Sequence, residues 1–378
     1  MSDPTASAPV PTASGPVPPA SVSASDVPSP ASGVPAPEPI RDIPAGESTL
    51  AGTVNTVPLD PRRPHVDPAR PFGAHVRTRW WAPLVVIPVV LIGMLILQVI
   101  STFVTIPYEL FIGGHSTEEF TNADAPTLTP VMMLGVNLSL IATGLLALLA
   151  LRVIAGVPWR AAFAVGRRFS WGRLLRTAGV MAPVILVFFA LMELLFPSVP
   201  MTGAAGFGIT ATGLALLAIT VLTTPLQAAA EEVVFRGVIG EMVASWIRPA
   251  SLALVVGIIV SSLIFGASHG SVDPWLFAYY TIFGLSGALM ARITDGLEAS
   301  IAFHASNNTL LFIATALTIG DQGLTIDRSA GSGGPFMLVF IALDLVLVAI
   351  VWLLEKRRRA RSAATDPARA VLDVPTTA

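Results

Sequence analysis

The sequence predicts an all-α, polytopic membrane helix bundle of about eight transmembrane helices, preceded by a disordered tail rich in proline and alanine. Hydrophobic residues make up 53% of the 378 residues and charged residues only 12%, whereas soluble globular domains contain about 25% charged residues. From Trp80 onward, apolar runs recur at the length that crosses a bilayer as a helix, about 20 residues. Isolated strands would leave backbone groups unpaired in lipid, so each run should be helical.

Composition excludes several classes of function. The formal net charge is −2, so no broad basic surface is available and nucleic acid is not expected as a partner. The chain contains no cysteine, which excludes disulfides, thiolate metal sites and cysteine nucleophiles. The lipid bilayer is the expected environment of most of the chain.

The first element is a tail at residues 1–76, which holds 17 of the 32 prolines. Such a segment has too few large apolar residues to offset the entropy lost on ordering, and proline interrupts helices and sheets. We therefore predict a disordered, cytoplasmic tail at 1–76, a membrane domain at 77–361 and a short C-terminal tail at 362–378.

Eight apolar runs follow the tail. The fourth is too long for one straight span, and Pro225 within it is expected to kink or break the helix. The runs lie at residues 83–104, 128–151, 177–196, 209–246, 251–269, 275–292, 297–319 and 334–354.

The positions of arginine predict the orientation of these spans. Basic residues precede the first span and follow the second, sixth and eighth, and the six arginines between 152 and 176 occur with no acidic residue. The loops on the other side are mainly acidic, with Arg328 as their only basic residue. By the positive-inside rule, both termini should be cytoplasmic in a multi-pass protein of the cell membrane.

The fourth span carries two adjacent carboxylates and an arginine. Glu232 and Arg236 are four residues apart and can pair on one helix face. Glu231 is rotated by about 100° from Glu232 and faces another side. Ionisable groups inside a membrane are costly and usually functional, so this helix is a candidate site.

Two later spans each place polar or aromatic residues at the same i,i+4 spacing. The fifth ends with Phe265 and His269, and the seventh carries His304 and Asn308. The fourth and fifth spans should form a hairpin that turns near residue 250, which places Glu231 and His269 at the same height. All of these side chains are therefore expected to converge.

Two kinds of chemistry fit this set. A glutamate can activate water and a neutral histidine can relay the proton, while a second histidine and an asparagine amide stabilise an oxyanion. Alternatively, Glu231, His269 and His304 could ligate Zn²⁺ and leave one position open for water. The cofactor is therefore left as unknown, with Zn²⁺ and a metal-free mechanism both open.

At these residues the sequence resembles the CPBP family of intramembrane proteases, also called the Abi or CAAX-protease family. That family carries the patterns EExxxR, FxxxH and HxxxN on successive membrane helices, and all three occur here in order, over about residues 209–320. They read Glu231-Glu232-Val233-Val234-Phe235-Arg236, Phe265-Gly266-Ala267-Ser268-His269 and His304-Ala305-Ser306-Asn307-Asn308.

The resemblance implies a membrane-embedded endopeptidase, glutamic or metal-dependent, that acts on a membrane-associated protein or peptide. It implies that Glu231 activates water with His269, and that His304 and Asn308 stabilise the oxyanion. Bacterial members are linked to bacteriocin maturation, self-immunity and protein anchoring.

The resemblance also implies that Glu232 and Arg236 shape the site. Two other functions remain open: a non-enzymatic immunity or scaffold protein of the same fold, and a transporter that uses the Glu/His cluster as a proton relay. Three further polar residues within spans, Glu193, Asp344 and Asn137, lack an obvious partner in the sequence and receive no role.

Overall fold

Eight long helices form the described part of the molecule. The computed structural model describes residues 63–117, 120, 127–195, 207–318, 324–325 and 327–365. The predicted all-α membrane bundle is confirmed within these ranges. The helices are α1 Ala82–Phe111, α2 Pro130–Val153, α3 Trp171–Leu195, α4 Ala211–Ser245, α5 Ala250–Ser268, α6 Pro274–Thr294, α7 Glu298–Ala316 and α8 Met337–Thr365.

Sheet structure is limited to two short antiparallel pairs among the described residues. Strand β1 (His65–Val66) pairs with β2 (Val76–Arg77) just before α1. Strand β3 (Thr127–Leu128) pairs with β4 (Leu324–Thr325) and so joins the segment before α2 to the segment after α7.

Seven of the eight helices are long and apolar enough to cross a membrane, and the exception is α7. The sequence predicted eight spans, so the structure differs at this helix. Helix α7 carries His304, Asn307 and Asn308 and packs against α3, α4 and α6. Its polar side chains face protein rather than lipid, so its composition need not match that of a lipid-facing span. With seven such helices, the chain is a multi-pass membrane protein.

Side chains at the helix ends explain where several helices begin. Thr129 and Thr210 accept hydrogen bonds from the backbone N–H groups of Met132 and Gly213 at the starts of α2 and α4. Asp273 does the same at α6 for Trp275 and Leu276. These caps satisfy N–H groups that have no partner within the helix.

Helix α4 carries the predicted site and changes its winding there. Pro225 was expected to kink or break the helix, and the helix continues through it without a break. The irregularity is instead a π-helical segment at Val233–Ile239, directly after the two glutamates. Such segments are frequent at functional sites. Helix α2 approaches α4 closely beside it, since a Cβ on Gly144 would lie 2.7 Å from the Cβ of Ala230.

The segment before α1 is folded onto the cytoplasmic side predicted for the bundle. His75 is fully buried, and its Nδ1 lies 2.7 Å from Glu241 Oε1 of α4. The backbone N–H groups of Gly73 and Val76 also donate to Glu241, at 2.7 and 3.1 Å. The predicted tail at 1–76 therefore includes an ordered part from residue 63, because these groups bury one carboxylate together. Residues 1–62 and 366–378 lie outside the described residues.

Basic segments that the sequence places on one side meet at one end of the bundle. Arg173 donates to the carbonyl of Thr294 at 2.9 Å, and Arg359 lies 3.1 Å from Asp295. Arg167 pairs with the buried Glu298 at the start of α7. These contacts join α3 and α8 to the end of α6, and the α2–α3 connection to the start of α7.

Candidate active site

A cavity of about 540 Å³ lies within the bundle and holds four of the six predicted site residues. Glu231, His269, His304 and Asn308 all lie on its wall. They come from α4, the end of α5 and α7, so the predicted convergence of three helices is present. The cavity extends to Asp327, which is exposed. Water can therefore reach it from the surface.

The two adjacent glutamates have different surroundings. Glu231 faces the cavity, whereas Glu232 has no exposed surface and does not line it. His304 lies between them, with Nε2 3.3 Å from Glu231 Oε2 and Nδ1 2.8 Å from Glu232 Oε1. One carboxylate therefore faces the cavity, while the other holds the histidine beside it.

Glu232 is the centre of a buried polar network. It pairs with Arg236 at 3.1 Å and accepts a hydrogen bond from Ser300 Oγ. Arg236 donates to the carbonyl of Gly284 at 2.8 Å, and its guanidinium lies 4.4 Å from the centre of the Phe265 ring. This network confirms the pairing predicted from the i,i+4 spacing, and it places Glu232 and Arg236 behind the cavity wall.

Helix α6 packs directly over this network at a glycine, Gly287, which has no side chain. A Cβ at Gly287 would lie 3.1 Å from Ser300 Oγ and 3.3 Å from Glu232 Oε2. Glycine therefore allows the α6 backbone to cover the buried charges and exclude water from them.

His269 lies on another part of the cavity wall. Its Nδ1 is 2.8 Å from the carbonyl of Phe265, and its ring stacks on Tyr280 with centroids 4.1 Å apart. A carbonyl only accepts, so the proton of a neutral His269 is on Nδ1 and Nε2 remains an acceptor. In this structure the histidine against Glu231 is His304 rather than His269.

Two asparagines and a glutamine complete the polar wall. Asn307 Nδ2 donates to Asn308 Oδ1 at 3.2 Å, which leaves the Asn308 amide N–H groups for another acceptor. The side chain of Gln227 lies beside Glu231. Both Asn307 and Gln227 line the cavity.

The residues present do not fit the zinc site that the sequence left open as one alternative. Glu231, His269 and His304 share one cavity, but the described part of the chain contains no group of three or more His, Asp or Glu side chains placed to hold a metal ion. The nitrogens of His304 face the two glutamates, and Nδ1 of His269 faces a carbonyl.

Sequence reasoning missed several residues of the site. Gln227 is four residues before Glu231 on the same helix face, so its spacing was a usable signal. Asn137 lines the cavity and donates to Thr223 and Thr224 at 2.7 and 3.2 Å. Its partners are on another helix, and no spacing in the sequence reveals them. No pattern in the sequence indicated that Asn307 and Tyr280 would line the cavity.

Many of the other residues that line the cavity are apolar. They come from α1, α2 and the later part of α7, and they include Met94, Met133, Val136, Leu140, Leu311 and Phe312. A cavity with both polar and apolar lining can hold a chain that is itself partly apolar.

Comparison with known proteins agrees with the motifs. Residues 210–310 match the family model described as "Type II CAAX prenyl endopeptidase Rce1-like". The "Uncharacterized protein YyaK" of Bacillus subtilis (strain 168) is 28% identical over 155 residues, which are 39% of this chain and 50% of YyaK. The chain thus spans about half the length of this relative. The part of the chain that carries the site is therefore similar to the type II CAAX prenyl endopeptidases, as its three motifs had indicated.

Proposed function

We propose that this chain is an intramembrane endopeptidase that hydrolyses a peptide bond of a membrane-associated protein or peptide. The observation that carries the proposal is the difference in surroundings between the two adjacent glutamates. Glu231 faces a water-accessible cavity, and Glu232 anchors the histidine beside it. The family match over residues 210–310 supports the same class of enzyme.

In the proposed reaction, Glu231 takes a proton from a water molecule whose oxygen then attacks the scissile carbonyl carbon. His304 stabilises the charge at Glu231, because its Nε2 is 3.3 Å from that carboxylate. Glu232 and Arg236 are positioning residues that act through His304.

The carbonyl oxygen becomes an oxyanion as the water oxygen bonds to carbon. The amide of Asn308 is its proposed donor, since Asn307 holds the Asn308 oxygen and turns the N–H groups away. The carbon–nitrogen bond then breaks, and the leaving amine receives the proton from Glu231. His269 has an acceptor at Nε2, which suits relay of a proton between these groups.

The test compares the membrane proteomes of cells that carry the wild-type chain and Glu231→Gln. The substitution keeps shape and hydrogen bonding but removes proton acceptance. Cleavage should fall by about 10²–10⁴, the usual effect of losing a positioned base, and an uncleaved precursor should accumulate. Glu193→Gln is the matched control, because Glu193 does not line the cavity.

Equal processing by the wild type and Glu231→Gln, at equal protein level, would refute the role of this residue. A phenotype that persists without any cleavage would favour the non-enzymatic immunity or scaffold function.

A further inference from the structure

Three arginines meet at the turn between α4 and α5, away from the candidate active site. Arg70 and Arg77 belong to the folded segment before α1, and Arg248 lies in the turn itself. Arg77 donates to the carbonyl of Ile247 at 2.7 Å, and Arg70 donates to the same carbonyl at 3.5 Å. One carbonyl therefore draws two guanidinium groups together beside a third arginine.

The charges of this turn cluster (Arg70, Arg77 and Arg248) are not neutralised within the described part of the chain. No carboxylate of the described residues forms an ion pair with any of the three. The nearby Asp67 accepts from the backbone N–H of Ala69 instead. Burial and the charges of Arg70 and Arg248 lower the pKa of Arg77, and Asp67 opposes this with a smaller effect. Like charges this close repel one another, and a bound anion would relieve that repulsion.

Two tryptophans place the turn cluster at the level of the lipid headgroups. Trp80 and Trp246 are 74% and 45% exposed, and Trp246 Nε1 donates to the carbonyl of Trp80 at 2.7 Å. Both lie next to the ends of membrane-spanning helices, since α1 begins at residue 82 and α4 ends at residue 245. Tryptophan is enriched where the bilayer meets water. The cluster therefore lies at the membrane surface, on the side predicted to be cytoplasmic.

We propose that the turn cluster binds the phosphate of an anionic phospholipid. The planar fork of a guanidinium matches phosphate oxygens, and Arg248 is exposed to receive them. Arg70 also has a buried Nε without a hydrogen-bond partner among the described residues. Anionic lipids of the cytoplasmic leaflet attract basic segments that adjoin membrane-spanning helices. Free phosphate offers the same oxygens but lacks acyl chains, which the exposed rings of Trp80 and Trp246 can contact.

A lipid bound there would fasten two parts of the chain to each other. Arg70 and Arg77 come from the segment before α1, whereas Arg248 follows α4, so one phosphate would bridge them. The same segment already folds onto α4 through Glu241. A ligand that binds only the folded protein raises its stability, so the anionic lipid should raise the melting temperature of the bundle. This site is independent of the proposed hydrolysis.

The experiment measures lipid binding to the full chain in neutral detergent. Native mass spectrometry follows the titration of phosphatidylglycerol and of phosphatidylcholine with the same acyl chains, and thermal unfolding is recorded for each mixture. A third arm adds inorganic phosphate in place of lipid. The variants are Arg77→Gln and Arg248→Gln. Arg176→Gln is the charge-matched control, since Arg176 is exposed and bonds to the carbonyl of Gly172 in its own helix.

Wild type should bind phosphatidylglycerol about tenfold tighter than phosphatidylcholine, because a hydrogen bond to a charged group contributes about that factor. Arg77→Gln and Arg248→Gln should each remove most of this preference and the thermal stabilisation that accompanies it. Arg176→Gln should retain both. Arg77→Gln also loses a hydrogen bond to the turn, whereas Arg248 is exposed, so Arg248→Gln tests the site without that loss.

Several results would overturn the inference. Equal binding of the two lipids would show that no anion site exists, and a preference that survives Arg248→Gln would place the site elsewhere. An equal loss in Arg176→Gln would show attraction to general surface charge rather than to the turn cluster. Inorganic phosphate that binds and stabilises as strongly as phosphatidylglycerol would assign the site to free phosphate instead of lipid.

Discussion

Replacement of His75 by alanine should destabilise the folded bundle without touching the active site. His75 and Glu241 are both without exposed surface and lie 2.7 Å apart. Removal of one partner from a buried ion pair costs about 3–5 kcal/mol. The backbone N–H groups of Gly73 and Val76 still donate to Glu241, so we expect the lower end, about 3 kcal/mol.

The same pair makes the stability depend on pH. Burial alone lowers the pKa of His75, but Glu241, the carbonyl of Ala161 and the charge of Asp295 outweigh it, and the pKa lies above its ordinary value. A raised pKa means that the folded state binds the proton more tightly than the unfolded state. The stabilisation is therefore complete below about pH 6.5 and is lost as the pH rises through the pKa of the folded state.

The assay is unfolding of the purified chain in mixed micelles by increasing denaturing detergent, over a range of pH. Wild type should lose stability as the pH rises through this window, whereas His75→Ala should be weaker at low pH and lack this dependence. His65→Ala is the control, because the ring of His65 hydrogen-bonds to the nearby carbonyl of Arg63 and does not contribute to the His75–Glu241 pair. A His75→Ala protein as stable as wild type at low pH would refute the buried ion pair.

Four further predictions concern the site and the topology. His304→Ala should reduce cleavage as severely as loss of the base, about 10²–10⁴, and Asn308→Ala by about 3 kcal/mol of oxyanion stabilisation; equal rates for wild type and variants in a peptide assay would contradict these roles. Chelator treatment should leave activity unchanged, and reversible loss that zinc restores would instead support a metal site. Reporter fusions after residue 165 should be cytoplasmic and those after 325 outside, and the same side for both would contradict the orientation. Deletion of residues 2–62 should leave the protein stable in the membrane, because so proline-rich a segment buries little; its loss from membrane fractions would show a structural role.

Local rules predicted the helices and their polar faces. The spacing of Glu232 and Arg236 predicted their pairing, because residues four apart are neighbours on any α-helix. The rotation between Glu231 and Glu232 predicted that they face different sides, and only Glu231 lines the cavity. These properties depend on helix geometry, which holds wherever the helix packs.

Contacts between helices were harder to predict. The sequence suggested His269 as the partner of Glu231, but His304 occupies that position, at 3.3 Å. Equal height along two helices does not specify their rotation about their own axes, and this rotation decides which side chain points inward. For the same reason the partners of Asn137 could not be named.

The sequence by itself determined that the chain is a helical membrane protein and which polar residues share a helix face at the candidate site, because apolar length and i,i+4 spacing are properties of single segments. Only the tertiary structure decided that Glu232 is buried behind the wall, that Asn137 and Arg328 join the cavity, and that residues 63–77 fold onto Glu241. Each of these depends on segments far apart in the chain that meet through packing, and the free energy of that contact is not encoded in any one segment.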